Sequence, residues 1–171
     1  RVPFGVVGVT APWNYPLTLA ISDAIPAMMA GNCVVVKPDV QTTLSALWIA
    51  DLLQRAGLPP GVFTVVAGEG SVVGPLVIDR SDYVMFTGST AVARGVAARC
   101  GELLIGCSME LGGKNAMIVR GDAYIAAAAA LACRASFSNS GQLCISMERI
   151  YVDQAIVDEF LDAFARRTQA L

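Results

Sequence analysis

Five side chains with chemistry beyond packing stand at the joints between apolar runs. Cys144 lies in FSNSGQLCISMERI, Phe137 to Ile150, directly behind Ser-Gly-Gln-Leu. A glycine with polar neighbours suits a backbone that approaches a ligand closely or exposes N–H groups to it. A thiolate there would be a nucleophile and a buried thiol an inert packing residue; the stretch by itself allows both. Glu110 lies in MELGG, a single charge in an apolar strand pattern with two glycines close behind it. Burying a carboxylate there costs desolvation energy, which suits a general base, whereas a glutamate at an exposed strand end has no such role.

Three more residues point to ligand binding. Asn14, in APWNYP, reads as a helix N-cap ahead of Pro16 and equally as an amide donor reaching into a cleft. Lys37 closes the run VVVKPD, where Pro38 ends strand pairing. At the carboxyl edge of a parallel sheet a lysine meets a ligand's hydroxyls or phosphates; the alternative is a lysine whose stem lies on the protein and whose amino group is in water. Ser89, behind Gly88 in FTGST, opens a helix. Free N–H groups at a helix start hold a phosphate without a positive side chain, and an ordinary N-cap would use the same serine. The stretch is not GxGxxG. Asp39, beside Lys37, reads as a turn residue.

The totals exclude several classes. Among 171 residues there is no histidine, so acid–base chemistry falls to a carboxylate, a lysine, a thiol or a tyrosine, and no metal site is expected. The five cysteines, at 33, 100, 107, 133 and 144, are odd in number and form no CxxC, which points to reduced thiols and a cytoplasmic protein. Cys33, Cys100, Cys107 and Cys133 sit in apolar or helical settings and read as structural. A net charge of −2 without a basic block argues against a nucleic-acid partner. Charges and prolines interrupt every run of about 18 apolar residues, which argues against a membrane span. With 55% hydrophobic and 15% charged residues, the chain favours elements buried on both faces.

Those elements alternate. VVGVTA, NCVVVKP, VFTVVA and YVMFT read as buried strands, each followed by a helical segment. The first helix carries a stripe of Leu17, Ile21, Ile25 and Met28 with Pro26 inside it; the second carries Leu44, Leu47, Ala50 and Leu53 and stops at Gly57. The segments GSVVGPLVI and STAVARGVAARC complete the repeat. Alternation of this kind predicts an α/β fold with a doubly wound, mainly parallel sheet that binds ligands beyond its carboxyl edge. After Gly112-Gly113 the pattern changes to a strand, the small-residue helix AYIAAAAALACRASF, the strand ERIYVD and a last helix, so a domain boundary is placed there.

In this order and spacing, GVVGVTAPWNYP, GNCVVVKP, FTGST, ELGGKN and FSNSGQLC resemble the NAD(P)-dependent aldehyde dehydrogenase superfamily, along the whole chain. The resemblance implies that family's variant of the Rossmann fold, whose pyrophosphate does not meet a GxGxxG loop. Because the family's enzymes are much larger, the chain reads as an internal segment. Residues 1–112 would be most of the nucleotide-binding domain and 113–171 the start of an α/β catalytic domain. By the same resemblance Cys144 matches the nucleophile, Glu110 the general base and Asn14 the side-chain oxyanion donor, and the three are expected to converge on one cleft. Lys37 matches the residue that contacts the adenosine ribose, Ser89, with Gly88 before it, the serine near the pyrophosphate, and Trp13 a cofactor-contacting residue. The implied reaction is oxidation of an aldehyde to an acid through a thiohemiacetal and a thioester on Cys144.

The departures carry information too. Three residues beyond the lysine, NAD-preferring members often have glutamate; here it is Val40, so NADP is expected to serve as well as NAD. Ala93 stands where glycine is frequent, and Thr43 where proline is usual. The stretch SNSGQLCIS followed by MERIYV looks most like the succinate-semialdehyde dehydrogenase group, with Ile145 and Ser146 flanking the nucleophile where substrate size is read. A dehydrogenase for other aldehydes, a CoA-acylating dehydrogenase and a non-catalytic nucleotide-binding fragment are the rival readings; the presence of Glu110 favours hydrolysis over transfer to a thiol. A homodimer or homotetramer is expected for the parent protein, and no turnover for the 171-residue segment alone.

Overall fold

The computed structural model describes residues 2–171, and the chain divides into two units, one ending at Leu111 and the other running from Gly112 to Leu171. In the first unit the apolar runs are strands: Val6–Ala11 (β1), Cys33–Pro38 (β2), Phe63–Val65 (β3), Tyr83–Gly88 (β4) and Gly106–Leu111 (β5). They form one sheet in the order β3-β2-β1-β4-β5, parallel at every pairing. Parallel neighbours need crossover connections. These are Pro16–Ile21 (α1) and Ala24–Met29 (α2) between β1 and β2, then Thr43–Arg55 (α3), Gly70–Ile78 (α4) and Thr90–Leu103 (α5). The doubly wound α/β sheet expected from the alternation is present.

Both faces of the sheet are covered, as the two-residue period of a strand demands. On one face Val7, Val9, Val34 and Val36 pack with Ala20, Ala24, Ala46 and Ile49, and Tyr83 and Met85 lie against this core. Val84, between those two, points the other way and packs with Ile78 of α4 and Cys100 of α5. Gly8 lies between Val7 and Val9 and faces α4. A Cβ there would stand 2.4 Å from Ser81 Oγ and 2.9 Å from Val77 Cγ1, so only glycine lets the end of α4 lie on β1.

The helix faces differ from the expected stripes. The segment after β1 is two six-residue helices, broken at Ser22-Asp23. Pro26 has no N–H to donate to the Ser22 carbonyl, and its ring crowds that oxygen. The fully buried residues here are Ala20 and Ala24; Leu17 and Ile25 are exposed, while Ile21 and Met28 pack against the core. In α3 the buried face is Ala46 and Ile49, flanked by Ala50 and Leu53, and Leu44 and Leu47 are exposed. Alanine lets a helix axis approach the sheet more closely than leucine does, so the small residues take the inner position.

The second unit pairs Asn115–Val119 (β6) with Met147–Val152 (β7) in parallel. Ile125–Phe137 (α6) and Val157–Thr168 (α7) pack together, and Val119, Ala128, Ala129, Ala132 and Phe160 form the core. The Phe160 and Phe164 rings stack with centroids 5.8 Å apart. The pairing shifts after its first pair: Asn115 is opposite Met147 but Ala116 is opposite Arg149, which leaves Glu148 as the extra residue of a bulge. Among the described residues, no helix is long and apolar enough to cross a membrane.

Asn32, 5% exposed, ties the first unit together: its Oδ1 accepts from Gly5 N at 3.0 Å and its Nδ2 donates to Ala27 O at 2.9 Å. Replacing it by alanine orphans the Gly5 amide, while Ala27 O keeps the Asn32 backbone N–H at 3.1 Å. The expected cost is about 1–3 kcal/mol. Urea unfolding measures it, and hydrogen exchange should speed up at Gly5 and not in β6; an unchanged midpoint with unchanged exchange refutes this role.

Candidate functional site

Because the five strands run the same way, their carboxyl ends share one edge. Past the end of β1 come Trp13 and Asn14; β2 brings Lys37, β4 Gly88 and then Ser89, and β5 Glu110. The register keeps them in a row: Thr10 is opposite both Lys37 and Phe86, Thr87 is opposite Glu110, and Gly88 is opposite Leu111. The winding reverses between β1 and β4, where sheets of this kind open a crevice for a ligand.

Lys37 is only 6% exposed, its stem packed within the fold. A Cβ built on Gly70 would lie 3.6 Å from Lys37 Nζ, so the amino group sits at the first turn of α4. No described residue gives it a hydrogen bond or an ion pair. The Lys37 amino group and the free, partly positive N–H groups of that helix start lie side by side. Together they present donors to an acceptor that the unit itself does not supply.

The neighbouring positions are less ambiguous than their sequence. Asp39 Oδ1 accepts from Gln41 N at 2.9 Å, so Asp39 is a turn residue, and Val40 beside it is 44% exposed. Thr43 opens α3 with its hydroxyl donating to Asp39 O at 3.1 Å, which replaces the usual proline by a hydrogen bond. Ser89 caps α5, its Oγ accepting from Val92 N at 3.4 Å, a long contact that leaves the other first-turn N–H groups to a ligand. A Cβ on Gly88 would stand 2.7 Å from Phe86 Cζ, so glycine is required there. The Ala93 methyl is buried.

Two expectations fail at this edge. Asn14 is not the helix cap: that position belongs to Tyr15, whose carbonyl accepts from Leu19 N at 2.9 Å, while Asn14 itself is half-buried and Trp13 half-exposed. Glu110 is exposed, because it sits one residue from the strand end, and the desolvation argument does not apply to it. The perturbed carboxyl is Asp23, missed in the sequence, at the break between α1 and α2. Burial raises its pKa, and the negative charge of Glu110 raises it further. The available signal was a lone acid inside the apolar stretch LTLAISDAIPAMM.

In the second unit Cys144 is exposed, at a turn closed by Ser146 N donating to Leu143 O at 3.1 Å. Ser146 is 4% exposed and donates its hydroxyl to Gly141 O at 3.1 Å, so it braces the loop, and Ile145 is 69% exposed. Ahead of the turn three consecutive residues are left-handed, Asn139, Ser140 and Gly141, with φ of 53°, 57° and 75°. Two of the three carry a Cβ, which costs energy in that conformation. Asn115 was also missed: its Nδ2 donates to Cys144 O at 2.6 Å and to Ser146 O at 3.0 Å.

The other cysteines divide. Cys33, read as structural, is exposed at the start of β2. Cys100 is buried, and desolvation, then the charge of and hydrogen bond with Cys107, push its thiol up to about 11. Cys107 lies at the opposite end of β5 from Glu110, and Cys133 is buried in α6.

The chain is similar to several known proteins over nearly its whole length. A Mycolicibacterium smegmatis protein provisionally named succinate-semialdehyde dehydrogenase (NADP+) is 57% identical over 169 residues, which is 99% of this chain and 33% of that protein. The chain therefore spans about a third of the length of the curated relatives it matches. The crystal structure of succinate-semialdehyde dehydrogenase from Burkholderia pseudomallei is 36% identical with a TM-score of 0.95, over 99% of this chain and 36% of that one. A 3,6-anhydro-L-galactose dehydrogenase solved in complex with NAP is 38% identical with a TM-score of 0.93, over the same shares. The family model described as the aldehyde dehydrogenase family matches residues 1–171, and the chain belongs to that family.

Proposed function

We propose that the protein oxidises an aldehyde to its carboxylic acid with NADP or NAD, using Cys144 as nucleophile, Glu110 as general base and Asn14 as oxyanion donor. The observation that carries this reading is the exposed Cys144 on a turn held from behind by Asn115 and Ser146 and entered through three left-handed residues. Backbone strain of this kind persists where it serves a site.

The Cys144 thiolate adds to the aldehyde carbon, and the oxygen of the adduct takes hydrogen bonds from the Asn14 amide and the Cys144 N–H. When bound, the nicotinamide cofactor accepts a hydride from this adduct, which leaves a thioester on Cys144. Glu110 then takes a proton from water, the hydroxide adds to the thioester, and Cys144 leaves as thiolate with the acid as product. The exposure of Glu110 fits a base that must reach water. The donor set fits a dinucleotide as well. Lys37 with the first turn of α4 would hold the adenosine ribose and its 2′ substituent, the first turn of α5 behind Gly88 and Ser89 would hold the pyrophosphate, and Trp13 would lie against the cofactor. The names of the M. smegmatis and B. pseudomallei relatives support succinate semialdehyde as the substrate.

Three outcomes test this. Cys144→Ser in the full-length protein should lower turnover by at least about a thousandfold, whereas Glu110→Gln should keep a single burst of reduced cofactor and lose the steady state; sustained turnover in Cys144→Ser refutes the mechanism. Because Val40 offers no carboxylate to the ribose, NADP should serve at least as well as NAD, and Val40→Glu should move the ratio of kcat/KM values toward NAD. A strong NAD preference in the unaltered protein contradicts this. Finally, succinate semialdehyde should exceed acetaldehyde, betaine aldehyde and an aromatic aldehyde in kcat/KM by more than a hundredfold, because a site built for a carboxylate is left with unpaired polar groups by the others. Equal rates withdraw the substrate and leave the reaction class.

A further inference from the structure

We propose that Asn115 is a positioning residue for the oxyanion site: it fixes the peptide that follows Cys144, so that the Cys144 backbone N–H keeps its direction. The proposal rests on the reading of Cys144 as nucleophile. Two peptide planes meet at the Cys144 Cα, and each is held by a different bond. The Leu143 carbonyl points into the turn, where it accepts from Ser146 N at 3.1 Å. The described chain has no cis peptide bond, and in a planar trans peptide the N–H points opposite to the C=O. The Cys144 N–H is thereby directed out of the turn.

That direction lasts only while the next plane stays put, and here Asn115 acts. Its amide nitrogen has two hydrogens, one for Cys144 O at 2.6 Å and one for Ser146 O at 3.0 Å, so a single side chain holds the carbonyls on both sides of Ile145. The anchor is itself fixed. Asn115 opens β6 opposite Met147 at the bulge; Lys114 pairs with Glu148, and Arg149 Nη2 donates to Lys114 O at 3.1 Å. The left-handed run from Asn139 to Gly141 leads into the same loop from its other end.

The test uses the full-length protein with Asn115→Ala and Asn115→Asp. Alanine removes both donors, and turnover should fall on the order of ten- to a hundredfold, with the aldehyde KM within about threefold, since the loss concerns charge that develops in the transition state. Aspartate keeps the shape but sets a carboxylate against two carbonyl oxygens, so it should be worse than alanine. Its activity relative to the unaltered protein should recover as pH falls and the carboxyl regains a proton to donate. Alkylation of Cys144 by iodoacetamide forms no oxyanion, so its rate should stay within about twofold in both variants. An order in which aspartate matches asparagine and exceeds alanine means that the side chain only fills space, and overturns the proposal. So does turnover within twofold of the unaltered protein in both variants, or alkylation falling in parallel with turnover. Failure of the underlying reading shows differently: Cys144→Ser would stay active.

Discussion

The first unit depends on β1 being paired in parallel on both sides. With β2 along one edge and β4 along the other, the chain must cross one face of the sheet to reach β2 and the other to reach β4. This double pairing places the ends of β2, β1 and β4 side by side and leaves a crevice beyond them. Its start is pinned on both flanks, by Gly5 N donating to Asn32 Oδ1 and by Val6 N donating to Asp82 Oδ2 at 2.8 Å. Gly8 keeps the middle of the strand clear for α4. A side chain at that one position would push α4 outward, and with it the helix start that faces Lys37.

Strand positions were legible because burial on two faces leaves a continuous apolar run, and VVGVTA, CVVVKP and YVMFTG show it plainly. The helix faces were not. A stripe chosen by residue size picks Leu17, Leu44 and Leu47, whereas the sheet takes Ala20, Ala24 and Ala46 because closeness of approach outweighs the area of a single side chain. Leu17, Leu44 and Leu47 remain at the surface of this segment, as does Trp48.

Candidate residues are nameable from sequence where the signal is a motif, and hidden where they act through distant partners. The stretches around Cys144, Lys37 and Ser89 each leave a structural role open, and only the ordered set of motifs singles these residues out. Asn115 is not among them: its two acceptors lie 29 and 31 residues away, and nothing in GGKN specifies which carbonyls its amide will meet. The bond from the Ser146 hydroxyl to Gly141 O is likewise not written in the residues around the cysteine. Glu110 was assigned a buried setting from the apolar residues around it in sequence, but strand neighbours alternate faces and the strand ends one residue later.

The carboxyl edge is also divided by charge. Lys37 and the start of α4 stand on the side of β2 and β3, and Glu110 stands at the far strand, β5. The uncharged Trp13 and Asn14 follow β1 between them. Asp23, which follows the same strand as Asn14, would add a second negative charge near Glu110. Its raised pKa means that it takes up a proton more readily than an ordinary aspartate.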